Sequence, residues 1–144
     1  MFKKIVSVTA ILIVIISISV YVYLKSFLPD YNETLFAPGL KGNVMVERNR
    51  FAVPTISAQN DDDLYFAWGY VNAQDRMFQM EFTRRVAQAR ISEFAGESTI
   101  KTDYFLKAMG FYDIAKRDTR SMSPEIKNYL QRYVDGINHY LNKN

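Results

Sequence analysis

The chain opens on a stretch without charge. Every residue from Ile5 to Leu24 is apolar or an uncharged polar residue, and two lysines precede the stretch. A helix needs about 20 apolar residues to cross a bilayer core, and flanking lysines favour the cytoplasmic side. The pattern therefore predicts a transmembrane anchor over 5–24 and a cytoplasmic stub over 1–4. The rest of the chain would be periplasmic or extracellular, as in a single-pass membrane protein.

A cleaved signal peptide is the main alternative to this anchor. Signal peptides also begin with basic residues, but their apolar core is usually about 7 to 15 residues long and ends at small residues. The large residues Tyr21, Val22, Tyr23 and Leu24 stand where cleavage would be expected. We therefore favour an uncleaved anchor over a cleaved peptide, and a buried core helix is the third interpretation.

Short strands follow a linker. Residues 25–43 contain prolines, glycines and few periodic apolar positions, which is typical of a stalk or linker. Two stretches rich in β-branched residues come next, Val44 to Glu47 and Val53 to Ala58. They predict a hairpin, with Pro54 at an edge or at the first position of its strand.

A long helical pattern begins at Asn60 or Asp61, either of which can cap a helix. Apolar residues then recur every three or four positions up to Gly96, which is placed as a helix-ending residue. Gly69 interrupts the pattern, and a bend or a closely packed neighbour would explain it. The three aspartates at 61–63 raise the alternative of a calcium loop, but its alternating ligands and closing glutamate are absent.

Two more helices are predicted. One covers about residues 101–118, and the other opens with Ser123 as its cap and Pro124 at its first position. The last helix carries one continuous apolar stripe, which must be buried against another surface. The stripe consists of Ile126, Tyr129, Leu130, Tyr133, Val134, Ile137, Tyr140 and Leu141. His139 lies off this stripe, so we expect it to be solvent-exposed.

Composition excludes several classes of function. The formal net charge is +3, and two of the lysines lie before Ile5, so the remainder is nearly neutral and no nucleic-acid partner is expected. There is no cysteine and only one histidine, which excludes disulfides, thiolate chemistry and a metal site built from several histidines. The serines nearest to His139, Ser121 and Ser123, are explained by helix capping. We therefore assign no catalytic, cofactor-binding or metal-ligating residue.

The segment 67–90 is dense in polar groups set among large apolar ones. Its polar residues are Gln74, Asp75, Arg76, Gln79, Arg84 and Arg85. They could surround a substrate or partner, or they could belong to a helix buried on several sides whose charges pair internally. We favour the structural interpretation.

At this segment the sequence resembles a known family. The run from Val53 to Gly96 resembles the opening of the mature penicillin acylase (penicillin amidase) family, and the likeness covers about residues 26–140. The pieces Leu28-Pro29 and Pro38-Gly39-Leu40 are similar to its membrane-tethered branch. The residues that match the family pattern are Arg48, Pro54, Ile56, Gly69, Tyr70, Val71, Ala73, Gln74, Asp75, Arg76, Gln79, Met80, Arg84, Arg85, Arg90, Glu93 and Gly96.

Three positions depart from that pattern. Asn49 stands where the family has aspartate, and Ala52 and Ala89 stand where it has glycine. Losing the two glycines would strain the backbone if the family needs a positive φ at these positions.

The resemblance implies an N-terminal-nucleophile hydrolase that cleaves a linear amide, such as the acyl side chain of a β-lactam or another N-acyl compound. The attacking serine would begin a separate β chain, and its own α-amino group would be the base. The implied fold is α+β, with an N-terminal transmembrane helix followed by short strands and helices of an αββα fold that is incomplete here. Residues 44–144 would be the N-terminal portion of the α chain.

The resemblance also implies which catalytic residues, partners and cofactors to expect. No catalytic residue of the family can be placed on this chain, which alone is expected to be inactive. The expected partners are the membrane, the rest of the α chain and a β chain, with the small amide substrate bound only by the complete enzyme. No cofactor is expected in this chain, although calcium is possible in the complete fold. The alternatives are a non-enzymatic membrane-anchored interaction protein and a decayed gene remnant.

Overall fold

The computed structural model describes residues 2–28, 30–32 and 34–143, with side chains from residue 11 onward. The chain divides into two compact units, residues 1–36 and 37–144. Pro29 of the predicted stalk, and Met1 of the predicted cytoplasmic stub, lie outside the described residues.

The described residues of the first unit form one helix, α1, over Phe2–Lys25. Among the described residues, no helix has both the length and the apolar character that crossing a membrane requires. The predicted transmembrane anchor over 5–24 is therefore wrong. The predicted single-pass location, with a periplasmic or extracellular bulk, is wrong for the same reason, and a membrane partner is not supported.

The second unit begins with a hairpin. Strand β1 covers Met45–Arg48 and strand β2 covers Pro54–Ser57, and they pair antiparallel with Met45 opposite Ser57. This confirms the predicted hairpin, with Pro54 as the first residue of its strand. In the part of the chain that the structure describes, these two strands form the whole sheet and the other elements are helices. The prediction of an α+β chain built as part of an αββα fold is corrected to a mostly helical one with two short strands.

Two long helices cross where both carry glycine. Helix α2 covers Asp61–Ala87 and helix α6 covers Pro124–Lys143. A methyl group on Gly69 would lie 1.9 Å from the carbonyl oxygen of Tyr133, and one on Gly136 would lie 1.9 Å from that of Phe66. The backbones therefore touch at this crossing, and close packing explains the glycine that interrupts the apolar pattern of α2.

The core of this unit lies beside the crossing. Its buried apolar residues all come from the first half of α2: Phe66, Ala67, Tyr70, Val71 and Ala73. The tyrosines of the α6 stripe pack on that half, with Tyr129 stacked on Tyr65 and Tyr140 edge-on to Tyr70. Four of the five aliphatic residues of the same stripe remain 42–48% exposed: Ile126, Leu130, Val134 and Leu141. Ile137 is half-buried, as the tyrosines are, so the predicted burial of the stripe is confirmed only in part.

Shorter helices connect α2 to α6. They are α3 (Ser92–Ala95), a 3-10 turn (Glu97–Thr99), α4 (Ile100–Met109) and α5 (Phe111–Ser121). The predicted helix over 101–118 is in fact two helices, because Gly110 takes a left-handed conformation with φ 71° that ends α4. The long helix that was predicted to run to Gly96 is also divided. Helix α2 ends at Ala87, and Gly96 ends α3. The start of α6 at Pro124 is confirmed, and the hydroxyl of Ser123 accepts a hydrogen bond from the N–H of Ile126 at 3.3 Å.

Two alanines occupy the left-handed backbone region, Ala52 with φ 60° and Ala89 with φ 58°. They are the two positions where the family pattern has glycine, so the expected strain is present. A left-handed conformation costs a residue with a Cβ about 1–2 kcal/mol, and glycine avoids this cost.

We therefore expect Ala52→Gly and Ala89→Gly each to raise the free energy of unfolding by about 1 kcal/mol. Urea unfolding of each variant measures the change. Ala115→Gly is the matched control, because Ala115 is exposed within α5 and glycine there should lower stability by about 1 kcal/mol. Destabilisation by all three substitutions would contradict the assigned strain.

Candidate functional site

An arginine of the hairpin binds α2 at the centre of the family-patterned segment. The Nη1 and Nη2 atoms of Arg48 lie 2.9 Å from the two carboxylate oxygens of Asp75, and Nη2 also donates to the side-chain oxygen of Gln74 at 3.1 Å. The side chains of Arg48 and Asp75 are 13% and 21% exposed. A bidentate ion pair between arginine and a carboxylate is geometrically specific and stronger than a neutral hydrogen bond. It fixes the hairpin to α2.

The same arginine also holds the hairpin turn, because its Nη1 donates to the carbonyl oxygen of Ala52 at 3.1 Å. Within the turn, the side-chain oxygen of Asn49 accepts from the N–H groups of Phe51 and Val53, at 2.9 and 3.1 Å. An amide oxygen accepts these bonds as a carboxylate oxygen would. The replacement of the family's aspartate by Asn49 therefore leaves the turn intact.

A buried aspartate anchors the loop before β1. Asp63 has no exposed surface, and its carboxylate accepts hydrogen bonds from the N–H of Lys41, the N–H of Gly42 and the side-chain amide of Asn60. Burial alone would raise the pKa of Asp63, but these three donors outweigh burial and hold the pKa below its ordinary value of 3.8. Asn60 caps α2 through the N–H of Asp63, which confirms the capping interpretation of this acidic stretch. Among the described residues, no group of three or more potential metal ligands is found.

The lowered pKa of Asp63 predicts an acid-sensitive contribution to stability. The unfolded state binds the proton more readily than the folded state, so stability rises with pH and is lost as pH falls through and below 3.8. We expect Asp63→Asn to lower the free energy of unfolding by about 2 kcal/mol at pH 7. The NH₂ group of the new asparagine would then face the N–H groups that bind the Asp63 carboxylate, and two donors cannot form a hydrogen bond. Urea unfolding of both proteins between pH 7 and pH 3 should show this difference shrinking on acidification. A difference that stays constant with pH would contradict the assignment.

Ion pairs cover the end of α2. Glu81 binds Arg84 and Arg85, each through an arginine Nε 2.7 Å from a carboxylate oxygen, and Arg85 also reaches Glu93 at 2.7 Å. The hydrogen bonds from Arg84 and then Arg85 lower the pKa of Glu81 to about 2. Arg90 pairs with Glu93 as well. The structural interpretation of Arg84 and Arg85 is therefore supported, since both pair within the chain.

The other polar residues of the 67–90 segment divide into two groups. Gln74 and Asp75 bind Arg48 of the hairpin. Arg76 and Gln79 are exposed, and α2 bends at Arg76, whose φ of −140° and ψ of 27° are not helical. The structure thus does not bring the six residues together around one pocket.

The histidine does not stand free in solvent. His139 is half-buried, with its ring 5.7 Å from that of Phe66 and 5.9 Å from that of Tyr70. The prediction of a solvent-exposed His139 is wrong, because the close approach at Gly136 brings the next turn of α6 onto α2.

The two serines nearest to His139 in the sequence form hydrogen bonds with the backbone. The hydroxyl of Ser121 donates to the carbonyl oxygen of Asp118 at 2.8 Å, and Ser123 caps α6.

Side-chain hydrogen bonds also link α6 to α2, and the apolar pattern of the sequence does not reveal them. The side-chain amide of Asn72 donates to the Tyr133 hydroxyl at 3.0 Å, and the Tyr129 hydroxyl lies 3.2 Å from carboxylates of Asp61 and Glu125. The pKa of Tyr129 is raised to about 12, mainly by burial and secondly by the hydrogen bonds to these two carboxylates. The apolar stripe had marked both tyrosines, but only as packing residues.

Comparison with known proteins places this geometry in a family. The sequence model of the Penicillin amidase family matches residues 43–144. Penicillin acylase 2 proenzyme from Pseudomonas sp. (strain SE83) is 38% identical over 118 residues, which cover 82% of this chain and 15% of that protein. Acyl-homoserine lactone acylase QuiP from Pseudomonas fluorescens (strain Pf0-1) is 37% identical over 103 residues, covering 72% and 13%.

A solved structure supports the same relationship. A thermostable penicillin G acylase from Alcaligenes faecalis superposes with a TM-score of 0.63 and 28% sequence identity, covering 70% of this chain and 54% of that one. The chain spans only 15% and 13% of the two curated relatives. The family model nevertheless covers most of the chain, including the hairpin, the Arg48 to Asp75 pair and the helix crossing. This chain belongs to the penicillin amidase family.

Proposed function

We propose that this chain is the N-terminal portion of the α chain of an amide hydrolase. The complete enzyme would cleave a linear amide, releasing the acyl side chain of a β-lactam or of another N-acyl compound. The names of the relatives support this substrate class, since they are penicillin acylases and acyl-homoserine lactone acylases. Residues 44–144 form the family portion in this proposal.

The chemistry lies outside this chain in our proposal. A serine at the start of a β chain attacks the amide carbonyl carbon, its α-amino group takes the proton, and an oxyanion hole stabilises the tetrahedral intermediate. The intermediate then collapses with cleavage of the C–N bond, and the amine leaves with that proton. Water hydrolyses the remaining acyl-serine ester, which releases the acid and restores the serine. This chain contributes no atom to these steps.

The role of this chain is to hold the beginning of the fold in place. The observation that carries this proposal is the pairing of Arg48 with Asp75, because two residues of the family pattern join the hairpin to α2. Other residues of the pattern also serve packing: Gly69 lies at the helix crossing, and Tyr70, Val71 and Ala73 are buried. A segment whose patterned side chains are used in this way acts as a scaffold.

The direct test is an assay of the purified 144-residue chain with chromogenic phenylacetyl and fatty-acyl amides. We expect no hydrolysis above the buffer rate, because a nucleophile with an adjacent base is required for this chemistry. Penicillin G acylase from Escherichia coli, a relative 34% identical over 100 residues, is the positive control. Turnover by the chain alone that co-elutes with it and scales with its concentration would contradict the proposal.

A further inference from the structure

The second half of α2 is structurally different from the first. All buried residues of this helix lie between Asp63 and Ala73, before the bend at Arg76. After the bend, Phe78 is 78% exposed and Phe82 is 40% exposed. Large apolar side chains in such positions mark interaction surfaces when they form a contiguous patch.

These rings do form a contiguous patch with a third. The Phe78 and Phe82 rings lie 6.4 Å apart between centroids and are nearly parallel, and the Phe94 ring of α3 stands edge-on to Phe82 at 5.8 Å. Phe94 is 49% exposed. We call Phe78, Phe82 and Phe94 the aromatic ledge. Because it is built from two helices that are already in contact, a partner need not order it on binding.

The charged residues at the edge of the aromatic ledge form ion pairs with one another. Arg85 lies 6.0 Å from the centroid of the Phe94 ring and pairs with both Glu81 and Glu93. Since these charged groups pair with one another, the ledge itself offers an apolar surface. The chemistry that fits it is a set of apolar side chains from a polypeptide.

We propose that the aromatic ledge docks the polypeptide that completes the penicillin amidase fold. This rests on the proposed function, and it identifies where on the scaffold the rest of the enzyme binds. The relatives supply the occupant, since the chain spans 15% of penicillin acylase 2 and 54% of the matched chain of the solved acylase. A second copy of this chain fits less well, because three partly exposed phenylalanines offer less than the about 800 Å² per partner of a standard interface.

The test uses a defined probe, the penicillin acylase 2 proenzyme of Pseudomonas sp. (strain SE83) with its 118 matched residues removed. The probe is co-expressed with the tagged 144-residue chain, and the amount that co-purifies is measured. We expect the double variant Phe78→Ser, Phe82→Ser to capture about tenfold less probe than the unmodified chain, as for loss of a central aromatic contact. Circular dichroism of the variant chain checks that it remains folded, and the single variant Phe78→Ser provides a milder change.

The matched control is Tyr104→Ser, Phe105→Ser on α4, which removes two aromatic side chains that are 74% and 64% exposed. Capture by the control should stay within about twofold of the unmodified chain. Unchanged capture by the folded ledge variants, or equal loss in the control, would overturn the proposal. No capture by the unmodified chain would also overturn it, as would a ledge-dependent homodimer in sedimentation without capture.

Amide hydrolysis by the same co-purified material separates this proposal from the proposed function. If the ledge variant captures the probe and hydrolyses amides as the unmodified chain does, the docking surface is wrong and the function stands. If capture depends on the ledge but the captured complex hydrolyses no amide, the docking surface stands and the function is wrong.

Discussion

Replacing Gly136 by alanine is expected to lower the free energy of unfolding by about 3 kcal/mol or more. The added methyl group would lie 1.9 Å from the carbonyl oxygen of Phe66 and 2.8 Å from the backbone nitrogen of Tyr70. Both contacts are with backbone, so no side-chain rotation can relieve them and the two helices must move apart. Gly69→Ala meets the backbone of Tyr133 in the same way and should cost a similar amount. Urea unfolding of the 144-residue chain measures both effects.

Gly42→Ala is the matched control for these substitutions. A methyl group there would lie 3.1 Å from the side-chain oxygen of Gln59, which can rotate away, and the N–H that binds Asp63 is retained. Its effect should stay below about 1 kcal/mol. Equal stability of all three variants would show that the helices do not cross at Gly69 and Gly136.

The second large effect is expected at the ion pair between hairpin and helix. Arg48→Met should lower the free energy of unfolding by about 3 kcal/mol, because it leaves the partly buried carboxylate of Asp75 without its partner. Arg48→Lys should recover only part of this loss, since an ammonium group cannot bind both carboxylate oxygens in the planar arrangement. Hydrogen exchange should show loss of protection in the hairpin before the α2 to α6 core.

A double-mutant cycle with Asp75→Leu isolates this pair. We expect a coupling energy of about 2 kcal/mol between positions 48 and 75, because each single variant removes the same two hydrogen bonds. Arg50→Met serves as a control from the same hairpin, since Arg50 is exposed and lies over the neighbouring Phe51 ring. Additive effects at positions 48 and 75 would contradict the proposed attachment of the hairpin.

Local signals explain what sequence reasoning could predict. The alternation around Pro54, the cap at Asn60 and the Ser123-Pro124 start of α6 each depend on residues within one turn or strand, and the structure confirms all three. The strain at Ala52 and Ala89 was predicted from the family pattern, because glycine is preferred at positive φ.

Errors arose where distant contacts or long segments decide the outcome. The bonds to Asp63 from Lys41 and Gly42 span more than 20 positions, and no periodicity reveals them. His139 was judged from its own helix, whereas its environment comes from α2. The transmembrane prediction rests on the length of the uncharged stretch and on the lysines before it, whereas no described helix meets the combined requirement of length and hydropathy. The break at Gly110 shows that one left-handed glycine can divide a continuous helical pattern.

In our proposal, the ion pair and the helix crossing make this chain a scaffold within an amide hydrolase. The most direct measurement is hydrolysis of a chromogenic phenylacetyl or fatty-acyl amide by the chain co-expressed with the truncated Pseudomonas sp. (strain SE83) acylase, compared with each part alone. We predict turnover by the pair and none by either part. Turnover by the 144-residue chain alone, or a stable pair that hydrolyses neither amide, would contradict this account.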